Sequence, residues 1–308
     1  MKVYSDPNKY NNTSTVVTLG MFDGVHLGHK QLLSKVVTTA RNIDARSVVV
    51  TFWPHPRLVL GKDAEDLKFI TTLDEKIALL EKEGIDDLIL LPFNLELAAL
   101  SAKEFIEQVL MAKFGMQHLI MGYNHRFGKD RIDDYSVYQS IANENQFGIS
   151  KVEAVKVGSV NVSSTVVRNA IETGDVVLAK ALLSYTFSLT GNVVSGQQLG
   201  RTIGFPTANI EPNDSHKIIP QTGVYACKLL VKGNKYDGML NVGIKPTVSS
   251  KTKQTIEVHI FNFSDDIYSE EVVIEFVDRV RNEQKFESVD ALKAQLKIDE
   301  QTVKKLLS

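Results

Sequence analysis

The sequence predicts two domains, a parallel α/β domain followed by an antiparallel all-β domain that is an open sheet or a small barrel. Three observations predict this. The length, 308 residues, suits two domains at roughly 150 residues each. Over roughly the first 180 residues, strand-like and helix-like stretches alternate, the pattern of a parallel sheet. After about residue 185, strand-like runs follow one another with only Gly, Asn, Asp and Pro turns between them.

In the first domain, Thr15–Leu19 is short, β-branched and apolar, hence a strand. A glycine-punctuated turn, Gly20–His29, follows it. Leu33, Val36, Val37 and Ala40 then recur at helical spacing. Arg46–Phe52 reads as a buried strand, stopped by Pro54-His55-Pro56 because proline lacks a ladder donor. Thr72–Glu83 reads as a helix with Leu73, Ile77 and Leu80 on one face. Asp87–Leu91 and His118–Met121 are strands, and Ala102–Phe114 is the helix between them. The second domain reads as strands at Thr222–Val231, Asp237–Val242, Thr255–Phe261 and Val272–Val280. In the third of these, Thr255, Glu257, His259 and Phe261 face one way, and Ile256, Val258 and Ile260 the other. Ser288 caps a closing helix carrying Val289, Leu292 and Leu296, and a second short turn is expected from Asp299. The boundary falls near Leu183–Ser188, giving domains 1–184 and 185–308.

Composition excludes several classes. Apolar residues are 43% and charged residues 23%, which argues against a disordered, collagen-like or coiled-coil chain. Lys+Arg is 35 and Asp+Glu 37, so no global basic field draws nucleic acid or an acidic membrane. One cysteine, Cys227, rules out an intramolecular disulfide framework and a Cys-rich zinc site, and fits a reducing compartment. No run approaches the ~18 apolar residues of a membrane helix. Met1–Thr15 lacks the apolar core of a signal peptide. The expectation is a soluble cytoplasmic protein with small-molecule substrates and no nucleic-acid or membrane partner.

Two constellations carry chemistry. In the first, His26-Leu27-Gly28-His29 lies between a strand and a helix. Glycine lets a phosphate approach the backbone, the helix start offers unpaired N–H groups, and two histidines can hydrogen-bond a phosphorus centre as charge develops. Downstream, Ser163-Ser164-Thr165 precedes Arg168, hydroxyls and a guanidinium able to grip a phosphate. Hydroxyls there would equally serve as a helix cap. In the second, Gly200-Arg201-Thr202-Ile203-Gly204-Phe205-Pro206-Thr207-Ala208-Asn209 lets backbone amides reach phosphates at Gly200 and Gly204. Thr207 and Asn209 offer oxygens to a hard cation such as Mg²⁺. It is not a Walker A loop. Phosphorylating an alcohol needs a base near the hydroxyl, and Glu257 is the candidate.

The first constellation resembles the nucleotidyltransferase superfamily. Its surroundings, Leu19–His26, Thr51–Pro56, Leu91–Asn94, Leu100–Phe105 and Gly122–Gly128, resemble the FMN adenylyltransferase module of prokaryotic riboflavin kinase/FAD synthetases. The resemblance implies a Rossmann-like nucleotidyltransferase domain. In it His26 and His29 contact the ATP phosphates and transition state, with Gly20, Phe22, Asp23 and Gly28 around them. Ser164, Thr165 and Arg168 hold the outer phosphates, and Asn124 lies between the two substrates at the flavin side. His125 stands where that family often has Phe. Gly200–Asn209, Gly223–Ala226, Asn241–Thr247, Ile256–Phe261, Asp266–Tyr268 and Arg281–Phe286 are similar to the riboflavin kinase module. That similarity implies a small antiparallel barrel with a C-terminal helix. Pro206, Thr207 and Asn209 would bind Mg-ATP, Glu257 would activate the ribityl hydroxyl, and Arg281 would lie at the flavin. Ser269 replaces the glycine usual after the tyrosine. Together the resemblances imply ATP-dependent phosphorylation of riboflavin to FMN, then adenylylation of FMN to FAD with release of pyrophosphate.

Overall fold

The computed structural model describes residues 1–61, 67–196, 199–246 and 252–308; Thr247, the last residue of the Asn241–Thr247 motif, lies outside them. Two compact units divide the chain, Met1–Ser164 and Thr165–Ser308.

The first unit holds strands β1 (Lys2–Tyr4), β2 (Thr15–Leu19), β3 (Arg46–Phe52), β4 (Asp87–Leu91), β5 (Met116–Gly122) and β6 (Gly148–Val152) in one sheet of order β1-β4-β3-β2-β5-β6. Every pairing is parallel. Helix α1 (Leu27–Asn42) follows β2, and α2 (Pro56–Val59) and α3 (Leu73–Lys82) follow β3. Then come α4 (Leu95–Ala98) and α5 (Ala102–Phe105), and α6 (Tyr135–Asn145) lies between β5 and β6. Neighbouring strand residues serve opposite faces. Val17, Leu19, Val48 and Val50 pack with Phe105, Leu110 and Tyr138, while Val16 and Val49 pack with Leu33, Val36 and Leu80. A sheet covered on both faces needs such continuous apolar strands.

Strands β2, β3 and β4 have the expected bounds. β1 was not expected, because a three-residue edge strand in a polar stretch leaves no periodicity to read. The helix expected over Ala102–Phe114 begins as an α-helix but widens over Ile106–Met111. There Ala112 N–H reaches back five residues to the Glu107 carbonyl.

After a short hairpin of β7 (Lys156–Val157) and β8 (Val160–Asn161), the second unit contains α7 (Ser164–Glu172, whose first residue ends the first unit) and α8 (Val176–Leu183). β9 (Ser188–Val194), α9 (Leu199–Thr202), β10 (Ala208–Pro212), β11 (Gly223–Val231), β12 (Asn234–Pro246), β13 (Thr252–Ile260) and β14 (Glu271–Arg281) complete a closed antiparallel barrel of order β10-β13-β12-β11-β14-β9. α8, which precedes the expected boundary near residue 184, falls in the second compact unit. The reason is packing: α8 lies against β14.

Tyr225, Cys227, Leu240, Ile256, Val258 and Phe276 are fully buried, and Val224, Ala226 and Met239 on the alternate face pack with Val303 of α10 (Val289–Leu307). Ser288 caps α10 as expected, its hydroxyl accepting from Ala291 N–H at 3.1 Å. The separate turn from Asp299 does not form. α10 runs unbroken, because the Asp299 carboxylate is held by Arg281 and so does not cap a new helix.

Asp87 is fully buried at the start of β4. It accepts from Tyr10 Oη at 3.1 Å and from Arg46 Nε and Nη2 at 2.6 and 2.7 Å. Asp87→Ala strands both partners, though Arg46 at 44% exposure recovers water. The expected cost is about 2 kcal/mol of first-unit stability. Urea unfolding measures it, and a change under about 0.5 kcal/mol would show that the pair contributes little.

Candidate active sites

In an open parallel sheet, ligands bind beyond the carboxyl ends of the strands, where the strand order reverses. Here that point lies between β2 and β5, since the chain moves outward through β3 and β4 on one side and through β6 on the other. The Gly20–His26 turn leaves β2 and Tyr123-Asn124 leaves β5, so both predicted motifs sit at this crevice.

The turn is built around His26, the N-cap of α1. Its Nδ1 accepts from His29 N–H at 3.3 Å. With Nδ1 accepting, a neutral His26 carries its proton on Nε2 and donates there. The His26 and His29 rings stack with centroids 3.6 Å apart and planes 13° apart. Phe22 backs His29 at 5.1 Å. A Cβ on Gly28 would stand 3.2 Å from His26 Cε1, so only glycine leaves that ring undisturbed. His29 Nδ1 is buried and has no hydrogen-bond partner among the described residues. Burial, then the charges of His26, Lys76 and His125, hold the His29 pKa well below the ordinary 6.5. His29 is therefore a neutral imidazole near pH 7.

Asp23 shapes the turn. Its buried carboxylate accepts from Ile70 N–H, Thr71 N–H and Thr71 Oγ1, at 3.0 to 3.2 Å. Its carbonyl accepts from the Ser164 hydroxyl at 2.9 Å. Thr165 and Arg168 follow on the first turns of α7. Gly20 stands beside the Phe22 ring. Asn124 is exposed. His55, at the Pro-His-Pro corner, caps α2 by accepting from Arg57 N–H.

Lys76 was missed by sequence reasoning. It is only 4% exposed, it feels the Asp23 carboxylate, and its own charge acts on His29. Burial lowers its pKa from 10.5, with Asp23 opposing. The signal was present: Lys76 interrupts the Leu73–Leu80 stripe at a helical position that should be apolar.

The second site is set by strand register. Asn209 of β10 lies opposite Glu257 of β13, Glu257 opposite Asn241 of β12, Asn241 opposite Val224 of β11, and Val224 opposite Arg281 of β14. Directly paired residues share a sheet face, so these five form one row around the barrel. The row lies on the outer face, as simple alternation requires for Glu257. That face is roofed by α10 and the Glu283–Phe286 segment. Beneath them is a cavity of about 290 Å³ lined by Glu257, Asn241, Arg281, Phe286, Leu292 and Leu296, among others. A second cavity, about 420 Å³, is lined by Val193, Arg201, Pro206, Asp266 and Tyr268 and others. Thr207 lines both.

The loop carrying Thr207 is held from two sides. Phe205 N–H donates to the Gly200 carbonyl at 2.8 Å, and a Cβ on Gly200 would collide with the Phe205 carbonyl. His259 Nδ1 donates to the Pro206 carbonyl at 2.8 Å. Gly204 closes the turn at φ +86°. Ser269, where glycine is usual, takes φ +64° and donates its N–H to Val193, so the turn survives the substitution. Arg281 is engaged by Asp299 through Nε and Nη2. Asn241 and His259 were not singled out for this site, because cross-strand register is invisible in one strand's sequence.

Residues 8–166 match the family model for FAD synthetase and residues 183–307 that for riboflavin kinase. A bifunctional riboflavin kinase/FMN adenylyltransferase of Bacillus subtilis is 37% identical over 295 residues, 95% of this chain and 92% of that protein. The Escherichia coli enzyme of the same description is 37% identical over 290 residues, covering 94% and 91%. A solved structure described as a macrolide-efflux protein from Streptococcus pneumoniae superposes with a TM-score of 0.90 at 33% identity, covering 98% of both chains. Among the described residues here, no helix is long and apolar enough to cross a membrane. With both family models matched in order and bifunctional relatives aligned along nearly all its length, the chain belongs to the bifunctional riboflavin kinase/FMN adenylyltransferase family and makes FMN and FAD.

Proposed function

We propose that residues 185–308 phosphorylate riboflavin at the Glu257 row, and that residues 1–184 adenylylate FMN at the His26–His29 turn. The observation that carries the kinase assignment is the row Asn209–Glu257–Asn241 beside Thr207, the residue common to both cavities. The cavity under α10 is apolar, with Phe205, Phe286, Leu292 and Leu296, and suits the flat flavin ring. The other, with Arg201 and Asp266, suits a nucleotide and its phosphates. Riboflavin's terminal hydroxyl would reach the row from one side and the ATP γ-phosphate from the other. The Glu257 carboxylate takes the hydroxyl proton as its oxygen bonds to phosphorus and ADP leaves.

Mg²⁺ fits the donor set here. Thr207 and Asn209 offer oxygens, and no group of three or more His, Cys, Asp or Glu among the described residues forms a cage. Bound there with the phosphates, it would neutralise charge on the transferring group.

Adenylyl transfer asks for less proton chemistry. The FMN phosphate is already an anion, so it attacks the ATP α-phosphorus without a base, and pyrophosphate leaves. His26 Nε2–H and neutral His29 would donate to the oxygens on which charge gathers. Phe22, Gly20 and Gly28 would shape the pocket, with Ser164, Thr165 and Arg168 on the outer phosphates and Asn124 toward the flavin. A cytoplasmic location belongs to the same reading, with a single buried cysteine, Cys227, that fits a reducing compartment.

A timed product assay with riboflavin, ATP and Mg²⁺ tests the order: FMN is expected before FAD, and unchanged riboflavin would refute the kinase reading. Glu257→Ala should abolish FMN formation while sparing FAD formation from supplied FMN, and His29→Ala should do the reverse. Loss of both activities in either folded variant would break the two-site assignment. Gly28→Ala should lower adenylylation by about tenfold or more with the kinase intact, because the new methyl displaces His26.

Acid should weaken the first unit. Burial lowers the His125 pKa to about 4 from 6.5. The unfolded chain then binds a proton that the folded chain refuses, so stability falls as pH drops from 6.5 towards 4. His125→Phe should flatten that fall, with His29 leaving a remainder of the same sign. Thermal midpoints across this range measure it, and parallel curves for the two proteins would refute the assignment.

A further inference from the structure

We propose that Asp299 is a positioning residue for the flavin substrate: it fixes the Arg281 guanidinium in the wall of the cavity under α10 without lining that cavity itself. The proposal rests on the reading of that cavity as the riboflavin site.

Asp299 lies in the middle of α10 and is 1% exposed. An aspartate buried there is costly unless fully partnered. Its partners are few and specific. Arg281 Nε donates to Oδ1 and Oδ2 at 3.0 and 2.9 Å, and Arg281 Nη2 donates to Oδ2 at 2.7 Å. Gln295 Nε2, one turn earlier, donates to Oδ1 at 2.8 Å. Arg281 Nη1 donates to the Asn282 carbonyl at 3.0 Å. The plane of the guanidinium is thus set on two edges. Each terminal nitrogen keeps a second N–H beyond these bonds. The Phe286 ring centroid is 5.7 Å from the guanidinium carbon.

A pair serving only to pin the helix could sit anywhere along α10. This one ends the row that holds Glu257, and Arg281 lines the same cavity as Glu257, Phe286 and Leu296. A planar cation beside an aromatic ring, with N–H donors to spare, matches a flat conjugated heterocycle bearing carbonyl oxygens. Asp299 fixes the position and tilt of that planar cation, which would otherwise be a free-swinging side chain. Ordering it before the ligand arrives removes an entropic cost of binding.

The test is steady-state kinetics of Asp299→Asn, with adenylylation of supplied FMN as the control for intact protein. The riboflavin KM should rise about tenfold, the effect of losing a charge-assisted hydrogen bond, with kcat within about twofold of wild type. A lowered thermal midpoint with unchanged riboflavin KM would overturn the proposal and leave Asp299 a helix anchor. Equal loss in kcat and kcat/KM would also overturn it, placing Asp299 in the chemical step. If the barrel's thermal transition is missing in Asp299→Asn, Gln295→Leu carries the test with an expected KM rise of about threefold. An unchanged KM there would count against it. Phe286→Ala separates the underlying reading: if it too leaves the riboflavin KM unmoved, the cavity assignment fails, whatever Asp299 does.

Discussion

The kinase half depends on the register of one strand. In β13, Ile256, Val258 and Ile260 fill the barrel while Glu257 and His259 face outward. A slip of one residue against β10 and β12 would exchange the two sets, putting a carboxylate in the core and isoleucines at the site. The apolar alternation that stabilises the barrel therefore also aims Glu257, the base we propose. It places Glu257 between two asparagines and lets His259 hold the Pro206 carbonyl. Stability and chemistry are specified by the same pattern, which is why the site needs no separate scaffold.

The nucleotidyltransferase half reaches a comparable precision by another route. The groups we propose to act there stand on a turn and a helix start, where no ladder holds them. Side chains supply the order instead. Asp23 gathers the amides of Ile70 and Thr71, Ser164 binds the Asp23 carbonyl, and His26 caps the helix that presents His29. Several polar residues of Gly20–His29 thus serve the turn's own hydrogen bonds. The stacked histidines are what those bonds position.

Legibility followed the range of the interactions involved. β2, β3 and β4 were readable to the residue, because a doubly covered parallel strand is a continuous apolar run closed by polar residues. The motif residues were readable because their spacing is local. β1 was not, since its order comes from the β4 edge and not from its own side chains. Asp299 was read as the start of a second short turn, a sound inference from an isolated Asp before Val303, Leu306 and Leu307. What changed its meaning was Arg281, eighteen residues away and on another element. Lys76 and Asn241 were passed over for the same reason: a charge in an apolar stripe, or an amide in a strand, acquires a role only from what the fold sets beside it.

The two halves handle charge in opposite ways, and the difference follows from the nucleophile. An alcohol must lose a proton as it attacks, and in the proposed kinase row the Glu257 carboxylate stands ready to take it, with amides on either side. A phosphate arrives already ionised, and a carboxylate facing it would repel it. In the first unit the acidic group closest to the turn, Asp23, is accordingly turned into backbone amides. The groups offered to the crevice are imidazoles, of which His29 is held neutral by burial, with the Lys76 charge acting on it. Neutral donors suit two polyanions that must approach each other: they stabilise the charge that develops at phosphorus without binding the ground-state phosphates so tightly that the barrier is unchanged.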